Sequence, residues 1–351
     1  MQLHDVWFVL IAFLWTGYFF LEGFDFGIGT LTRLLARDPE ERGMLLATIG
    51  PVWDGNEVWM LTAVGAAFAA FPDWYAALCS GFYLPILAVL VCLIVRGVAL
   101  EYRAKREDEP WRRVCDRCVF WASLGCAYLW GLIFANIVYG VPLGRDGNVT
   151  GTVPDLLHPY ALLGGLVTLC LFTVHGAAFA ALRTTGAVRR RARRLARAWA
   201  VPAAVVLVVF LVWTQIHRPC LPAFLVLSVG AAALLAVVGM SEPAQEGRAF
   251  ALSGLAVASL IAGCFLALFP DVLPSSADPD RSLTAAGAAA GPYTLRILTW
   301  VAAFGAPVVI AYQAWTYWVF RKRIGSVRTA PTPDGQLRRA ATARSDSPRD
   351  R

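Results

Sequence analysis

The sequence predicts an all-α polytopic membrane protein. Three observations carry that prediction: an excess of apolar residues, nine long apolar runs, and basic residues gathered on alternate loops. Of 351 residues, 58% are of the AVILMFWYC class and only 16% are Asp, Glu, Lys or Arg. Ordinary globular domains hold roughly 45–50% apolar and about 25% charged residues. A soluble chain of this size has too few charges to cover so much apolar surface. The mean hydropathy of +0.58 agrees. Soluble enzymes, nucleic-acid binders, disordered chains and disulfide scaffolds are excluded on the same ground.

A helix crossing the hydrocarbon core needs about 20 mostly apolar residues. Nine runs meet this, at residues 6–22, 52–71, 76–100, 119–139, 159–182, 198–216, 221–240, 249–269 and 294–320. The first begins in a neutral-to-acidic stretch, with no basic n-region and no small-residue cleavage site after it, so it is read as a retained span and not a signal peptide. The sixth and seventh are separated only by Gln215-Ile216-His217-Arg218-Pro219. They are counted as two, because Pro219 and Pro222 break a helix and 43 residues exceed one crossing. The spans form a transmembrane domain over residues 1–328. Residues 329–351, rich in Pro, Ser, Thr, Arg and Asp, read as a disordered cytoplasmic tail.

The chain has 31 Lys and Arg residues. Assigned to alternate loops, 27 fall on one side: three after the first span, seven from Arg96 to Arg117, seven from Arg183 to Arg197, then Arg248, and nine from Arg321 onward. The other side holds only Arg145, Arg218, Arg281 and Arg296. The positive-inside rule then puts the N-terminus outside and the C-terminus in the cytoplasm, which requires an odd number of spans. The net charge of +7 reports topology and needs no acidic partner.

Potential cofactor ligands are sparse. Cys92, Cys126, Cys170 and Cys264 lie inside spans, where free cysteine acts as a small apolar residue. Cys115 and Cys118 have CxxC spacing but no second pair and no nearby histidine, so no metal site is assigned. Cys79 and Cys220 both fall near the outer face, and a bridge between them is left open. Of the four histidines, His4, His158 and His217 sit at outer span ends; only His175 lies well inside one, too little for a haem and read as packing.

The carboxylates at membrane depth are the candidate functional residues. Charges there cost about 2.5–3.5 kcal/mol on insertion scales and mark sites of function by default. The first span ends Glu22-Gly-Phe-Asp25-Phe-Gly27-Ile-Gly29, the second begins Trp53-Asp54-Gly55-Asn56-Glu57-Val-Trp59, and the third ends Arg96 … Glu101-Tyr-Arg103-Ala-Lys105. Glu22 and Asp25, like Asp54 and Glu57, are spaced i,i+3; Glu101 and Lys105 are spaced i,i+4. Each pair shares one helix face. With the topology above, all three stretches lie toward the cytoplasmic leaflet. They suggest a proton entry path, since a buried carboxyl both accepts and releases protons near neutral pH. Trp53 and Trp59 read as interfacial anchors or packing.

These same residues carry a family resemblance. Gly23-Phe-Asp25-Phe-Gly27-Ile-Gly29 followed by Trp53-Asp54-Gly55-Asn56-Glu57-Val-Trp59 closely resembles subunit II of the cytochrome bd-type quinol oxidases. Further matches are Ala69-Ala-Phe-Pro72, Gly81-Phe-Tyr83, His175-Gly176-Ala177, Phe269-Pro270-Asp-Val-Leu-Pro274, Leu298-Thr-Trp300 and Ala314-Trp315-Thr-Tyr317-Trp318. The resemblance runs over residues 6–324, and the link between the sixth and seventh spans is short for the family.

The resemblance implies nine helices, arranged as two four-helix bundles plus one peripheral helix, in a bacterial cell membrane. It implies a homologous subunit I carrying two b-type haems and one d-type haem, with small single-helix accessory subunits as further partners. The complex would oxidise quinol and reduce dioxygen to water, with protons drawn from the cytoplasm. This chain would hold no haem or metal firmly, and a structural quinone is allowed. On the family pattern Asp54, Glu101 and Lys105 fall on the proton route, with Asp25 and Glu57 as lesser candidates. Trp53, Gly55, Asn56, Trp59 and His175 would support it by packing. The competing class is a proton-coupled transporter. Such proteins bury carboxylates near the midplane and show inverted repeats, whereas here the charges gather toward one leaflet and no such repeat is visible.

Overall fold

A computed structural model describes residues 2–240, 242 and 244–325, so the predicted tail at 329–351 lies outside the described residues. The chain folds into eleven α-helices among these residues: α1 (Leu3–Leu35), α2 (Pro39–Ile49), α3 (Trp53–Ala70), α4 (Pro72–Gly81), α5 (Tyr83–Arg103), α6 (Glu109–Tyr139), α7 (Pro159–Arg183), α8 (Gly186–His217), α9 (Leu221–Val238), α10 (Glu246–Leu268) and α11 (Pro292–Val319). Two short antiparallel strands, β1 (Asp271–Leu273) and β2 (Leu283–Thr284), lie between α10 and α11. Eight of the described helices are long and apolar enough to cross a membrane. The protein is therefore a multi-pass membrane protein.

Five expected spans differ from what is found; α6 and α8 begin ten and twelve residues before the runs at 119–139 and 198–216. The first does not end near Glu22: α1 continues to Leu35, so Glu22 and Asp25 sit inside a 33-residue helix. The second, α3, is not among the eight apolar helices, because its Trp53-Asp54-Gly55-Asn56-Glu57 opening dilutes an 18-residue helix with polar groups. The third is interrupted at Phe82, where the φ/ψ of −104° and 24° is not helical; residues 72–81 form a separate helix, and the apolar crossing begins at Tyr83. The link between α8 and α9 is only Arg218-Pro219-Cys220, as short as the sequence suggested.

The helices pack in two groups. α7, α8, α9 and α10 form a closed ring, each touching the next and α10 returning to α7. In the other group α1 packs on α3 and α6, and α6 on α5. α1 and α6 join the groups by packing on α7. Backbone proximity makes the α1–α7 seam possible: a methyl on Gly27 would fall 2.1 Å from the Phe172 carbonyl oxygen and 2.7 Å from the Gly176 Cα. Small residues permit such approach where lipid supplies no hydrophobic drive between helices. α11 stands outside both groups and packs mainly on α3 and α1, with 6% of its apolar window buried.

One end of the molecule is held by ion pairs between helix ends. Asp116 of α6 meets Arg103 of α5 at 2.6 Å and Arg42 of α2 at 3.1 Å. Arg189 of α8 meets Glu246 of α10 at 2.6 Å, and Arg191 meets Glu41 of α2 at 2.5 Å. α2 starts on an Asp38 cap, whose carboxylate accepts from the Glu41 N–H at 2.7 Å, with Pro39 in the first turn. At the opposite end the α6–α7 and α10–α11 loops bind each other: the Val141 N–H donates to the Pro274 carbonyl and the Ser276 N–H to the Val141 carbonyl.

Candidate functional site

The buried acids converge on one arginine. Glu22 and Asp25, one turn apart on α1, face α3 and α5, and both are 0% exposed. Arg96 of α5, also 0% exposed, reaches between them: Nη1 lies 2.5 Å from Glu22 Oε2 and 3.5 Å from Glu57 Oε1, and Nη2 lies 3.9 Å from Asp25 Oδ2. The guanidinium also stacks over the Phe26 ring at 4.7 Å. Glu57 of α3 is the outermost member, with its side chain 23% exposed. Three carboxyls thus share one cation in an apolar bundle. Removing one partner of such a pair leaves an uncompensated buried charge, which costs several kcal/mol.

A second layer of hydrogen bonds surrounds Asp25. The Asn56 Nδ2 amide donates to Asp25 Oδ2 at 2.7 Å. Its carbonyl accepts from Tyr317 Oη at 2.7 Å and from Gln313 Nε2 at 3.0 Å, both on α11. Asp25 Oδ1, Glu22 Oε1, Arg96 Nε and Arg96 Nη2 are buried without a hydrogen-bond partner among the described residues. Buried polar groups of this kind are ordinarily hydrogen-bonded, which sets this cluster apart from the satisfied pairs elsewhere in the bundle.

The predicted site residues divide into two sets. Asp25, Asn56 and Glu57 come together around Arg96. Asp54 does not touch that cluster: it is exposed, and its carboxylate accepts from its neighbour's Gly55 N–H at 2.8 Å. Glu101 and Lys105 pair at 3.1 Å on the outside of α5, 58% and 60% exposed. Trp53 packs its ring against Gly97 of α5, where a methyl would lie 3.2 Å away. Trp59 presses on Gly17 of α1 and lies edge-to-face with Phe13, so it acts as packing between α1 and α3. Gly55 faces Gln313, where an added methyl would be 3.6 Å from its side chain.

Sequence reasoning missed Arg96, Gln313 and Tyr317. Arg96 was counted among the cytoplasmic loop cations; it is a buried residue of an apolar helix. Its position inside such a helix, seven residues before Arg103, was the available signal. Gln313 and Tyr317 share an i,i+4 face on the most exposed helix, and nothing local marks that face.

The histidine and cysteine expectations resolve as follows. His175 is fully buried, with both ring nitrogens engaged: Nε2 lies 3.1 Å from the Phe20 carbonyl and Nδ1 lies 2.8 Å from the Ser253 hydroxyl. Its ring stacks on Phe250 at 4.7 Å. A haem iron needs a free imidazole nitrogen, so this residue does not fit an axial ligand. Cys79 and Cys220 are unbridged; the Cys220 Sγ lies 3.4 Å from the Leu266 carbonyl instead.

The family model for cytochrome bd terminal oxidase subunit II matches residues 3–320, nearly the whole described chain. This chain belongs to that family. It is 39% identical over 328 residues to cytochrome bd ubiquinol oxidase subunit 2 of Bacillus subtilis, covering 92% of this chain and 97% of the relative. It is 33% identical over 362 residues to cytochrome bd-I ubiquinol oxidase subunit 2 of Escherichia coli, covering 92% and 95%. The fold is similar to a chain of the bd oxidase structure from Geobacillus thermodenitrificans, with a TM-score of 0.74 at 17% identity over 91% of this chain and 99% of that one. This bd oxidase subunit II is thus part of an oxidoreductase complex that contains haem and a subunit I.

Proposed function

We propose that this chain is the non-haem subunit of a bd-type terminal oxidase, supporting a haem-bearing subunit I and supplying it with protons from the cytoplasmic side. The complex oxidises quinol and reduces dioxygen to water. The haems, two b-type and one d-type, supply the electron transfer and oxygen chemistry, and they belong to the partner. The engaged nitrogens of His175 support that division.

The observation that carries the proton reading is a gradient of exposure along α3 into the bundle. Asp54 is exposed, Glu57 one turn on is 23% exposed, and Glu22, Asp25 and Arg96 behind it are fully enclosed. A proton taken up at the Asp54 carboxylate passes by its near neighbour Glu57 toward Glu22, whose Oε1 has no other partner. Arg96 holds Glu22 and Glu57 within one guanidinium span, so the acids need not move far to exchange a proton. Glu101 and Lys105 stand on the outer face of α5, where a partner subunit would carry the route onward.

We further propose that α3 crosses the bilayer as a ninth span, because its polar opening is sheltered by Arg96 and by α11. Nine spans place the N-terminus outside and the C-terminus in the cytoplasm of a bacterial cell, in keeping with the basic residues. Structural quinone and small single-helix partners remain compatible with this arrangement.

The test uses the co-purified two-subunit complex. Asp54→Asn, at unchanged haem absorbance, is expected to lower quinol oxidase turnover at least tenfold. Unchanged turnover would overturn the proton route and leave the subunit assignment standing. A haem bound by this chain expressed alone would overturn the division of labour.

A further inference from the structure

We infer that Gln313 and Tyr317, on the peripheral helix α11, are positioning residues for Asp25 that act through Asn56. The inference rests on the proton-handling reading of the buried cluster. It begins with the two ends of one amide. An asparagine side chain presents a carbonyl oxygen with two lone pairs and an NH2 group with two donors. Turning the amide end for end exchanges donor for acceptor at the same place.

At Asn56 the carbonyl end meets two groups of α11. Tyr317 Oη and Gln313 Nε2 lie 2.7 and 3.0 Å from Asn56 Oδ1 and fill both of its lone pairs. The carbonyl is held toward α11, which leaves the NH2 toward α1. There it donates to Asp25 Oδ2 at 2.7 Å. Asn56 and Asp25 are both fully enclosed. Asn56 is the sole hydrogen-bond donor to Asp25 among the described residues, since Arg96 Nη2 stands off at 3.9 Å. The charged and titratable groups facing Asp25 are Glu22 on its own helix, Glu57 on α3, Arg96 on α5 and Tyr317 on α11.

The geometry therefore couples an outer helix to a buried proton site. Gln313 and Tyr317 are spaced i,i+4, so one face of α11 delivers both donors. Gln313 lies alongside Gly55, next to Asn56. With both donors in place a carboxylate at Asp25 is met by N–H. With both removed, the amide is free to turn its carbonyl toward Asp25, which favours a protonated carboxyl there. The side chains touch neither quinol nor haem; they set which form of Asp25 its neighbour prefers.

The experiment compares the two-subunit complex with its Gln313→Leu/Tyr317→Phe double variant, matched by haem content. The readout is the infrared carboxyl stretch of Asp25, assigned as the band lost in Asp25→Asn. The double variant is expected to shift that band and to lower turnover about tenfold. Tyr317→Phe alone keeps the ring and one donor, and is expected to give a smaller shift in the same direction. An unmoved Asp25 band in both variants overturns the inference, whatever their turnover. Full turnover in Asp25→Asn would instead overturn the proton-handling reading, and the band shift would still decide the positioning role.

Discussion

The two helical groups bury polar residues in opposite ways. Around α1, α3 and α5 the interior holds ionisable groups: three carboxyls, one guanidinium and several uncommitted atoms. In the α7–α10 ring the buried charge is Glu246 at the helix end, paired with Arg189, and the polar groups deeper inside are neutral and paired. His175 bridges Phe20 and Ser253, Tyr160 meets the Thr214 hydroxyl at 2.7 Å, and the Thr168 hydroxyl donates to the Ala127 carbonyl at 2.6 Å. Neutral, satisfied pairs hold helices in register at little cost. Surplus buried charge stabilises little and is retained where it is used. On the proposed function, the ring is the scaffold and the charged group is where protons are handled.

Substitutions can break that contrast, and the largest effect belongs to Arg96. Arg96→Leu leaves three carboxyls without their cation and is expected to cost about 3–5 kcal/mol. The check is the yield and thermal stability of the complex; a variant as stable as the parent would show that the cluster carries no charge to compensate. The seam between the groups comes next. Gly27→Ala puts a methyl 2.1 Å from the Phe172 carbonyl, which forces α1 from α7 at about 1–3 kcal/mol. Its melting temperature is expected to fall, along with turnover, because Asp25 rides on the same helix.

His175 sharpens the comparison from the neutral side. His175→Phe removes the hydrogen bonds to the Ser253 hydroxyl, which keeps its bond to the Phe250 carbonyl, and to the Phe20 carbonyl, at about 1 kcal/mol. Haem content and turnover per haem are expected to stay unchanged once the complex is assembled. A selective loss of one haem signal would move His175 from scaffold to site.

The smallest effect is at the basic end. The Arg191 hydrogen bond, with the Arg37 N–H, holds the Glu41 carboxyl below the usual carboxylate range. That contribution is present at neutral pH, above the unfolded value, and is lost as the pH falls through the lower folded value. Glu41→Gln is expected to cost under about 1 kcal/mol at pH 7. Its stability difference from the parent should shrink as the pH falls below the ordinary Glu value of about 4.3. A difference that persists in acid would rule out the ion pair as its source.

Much of this was open to reading along the chain. Eight apolar helices stand where apolar runs of the needed length were found, and Pro219 marked the α8–α9 break. Asp25, Asn56 and Glu57 were picked out because polar residues in apolar helices are costly wherever they fall. Ranking them failed for a physical reason. Asp54 stands in the same motif and one turn from Glu57, yet only Glu57 turns toward α5. The limits of α1 and α5 also escaped local reading. Glycines and acids suggested an end near Glu22, while packing against α7 keeps the helix intact to Leu35. The break at Phe82 lies within a run whose composition looks continuous.

By itself the sequence determined the membrane class, the approximate spans, the cation asymmetry and the family, because each is written in composition or in residues close together along the chain. Tertiary structure alone decided which charges meet. Glu22 and Arg96 are 74 residues apart, and Asn56 and Tyr317 are 261 apart. Helical periodicity shows that a residue shares a face with its neighbours three and four positions away. It does not say which other helix that face will meet, and the cluster exists only where α1, α3, α5 and α11 converge.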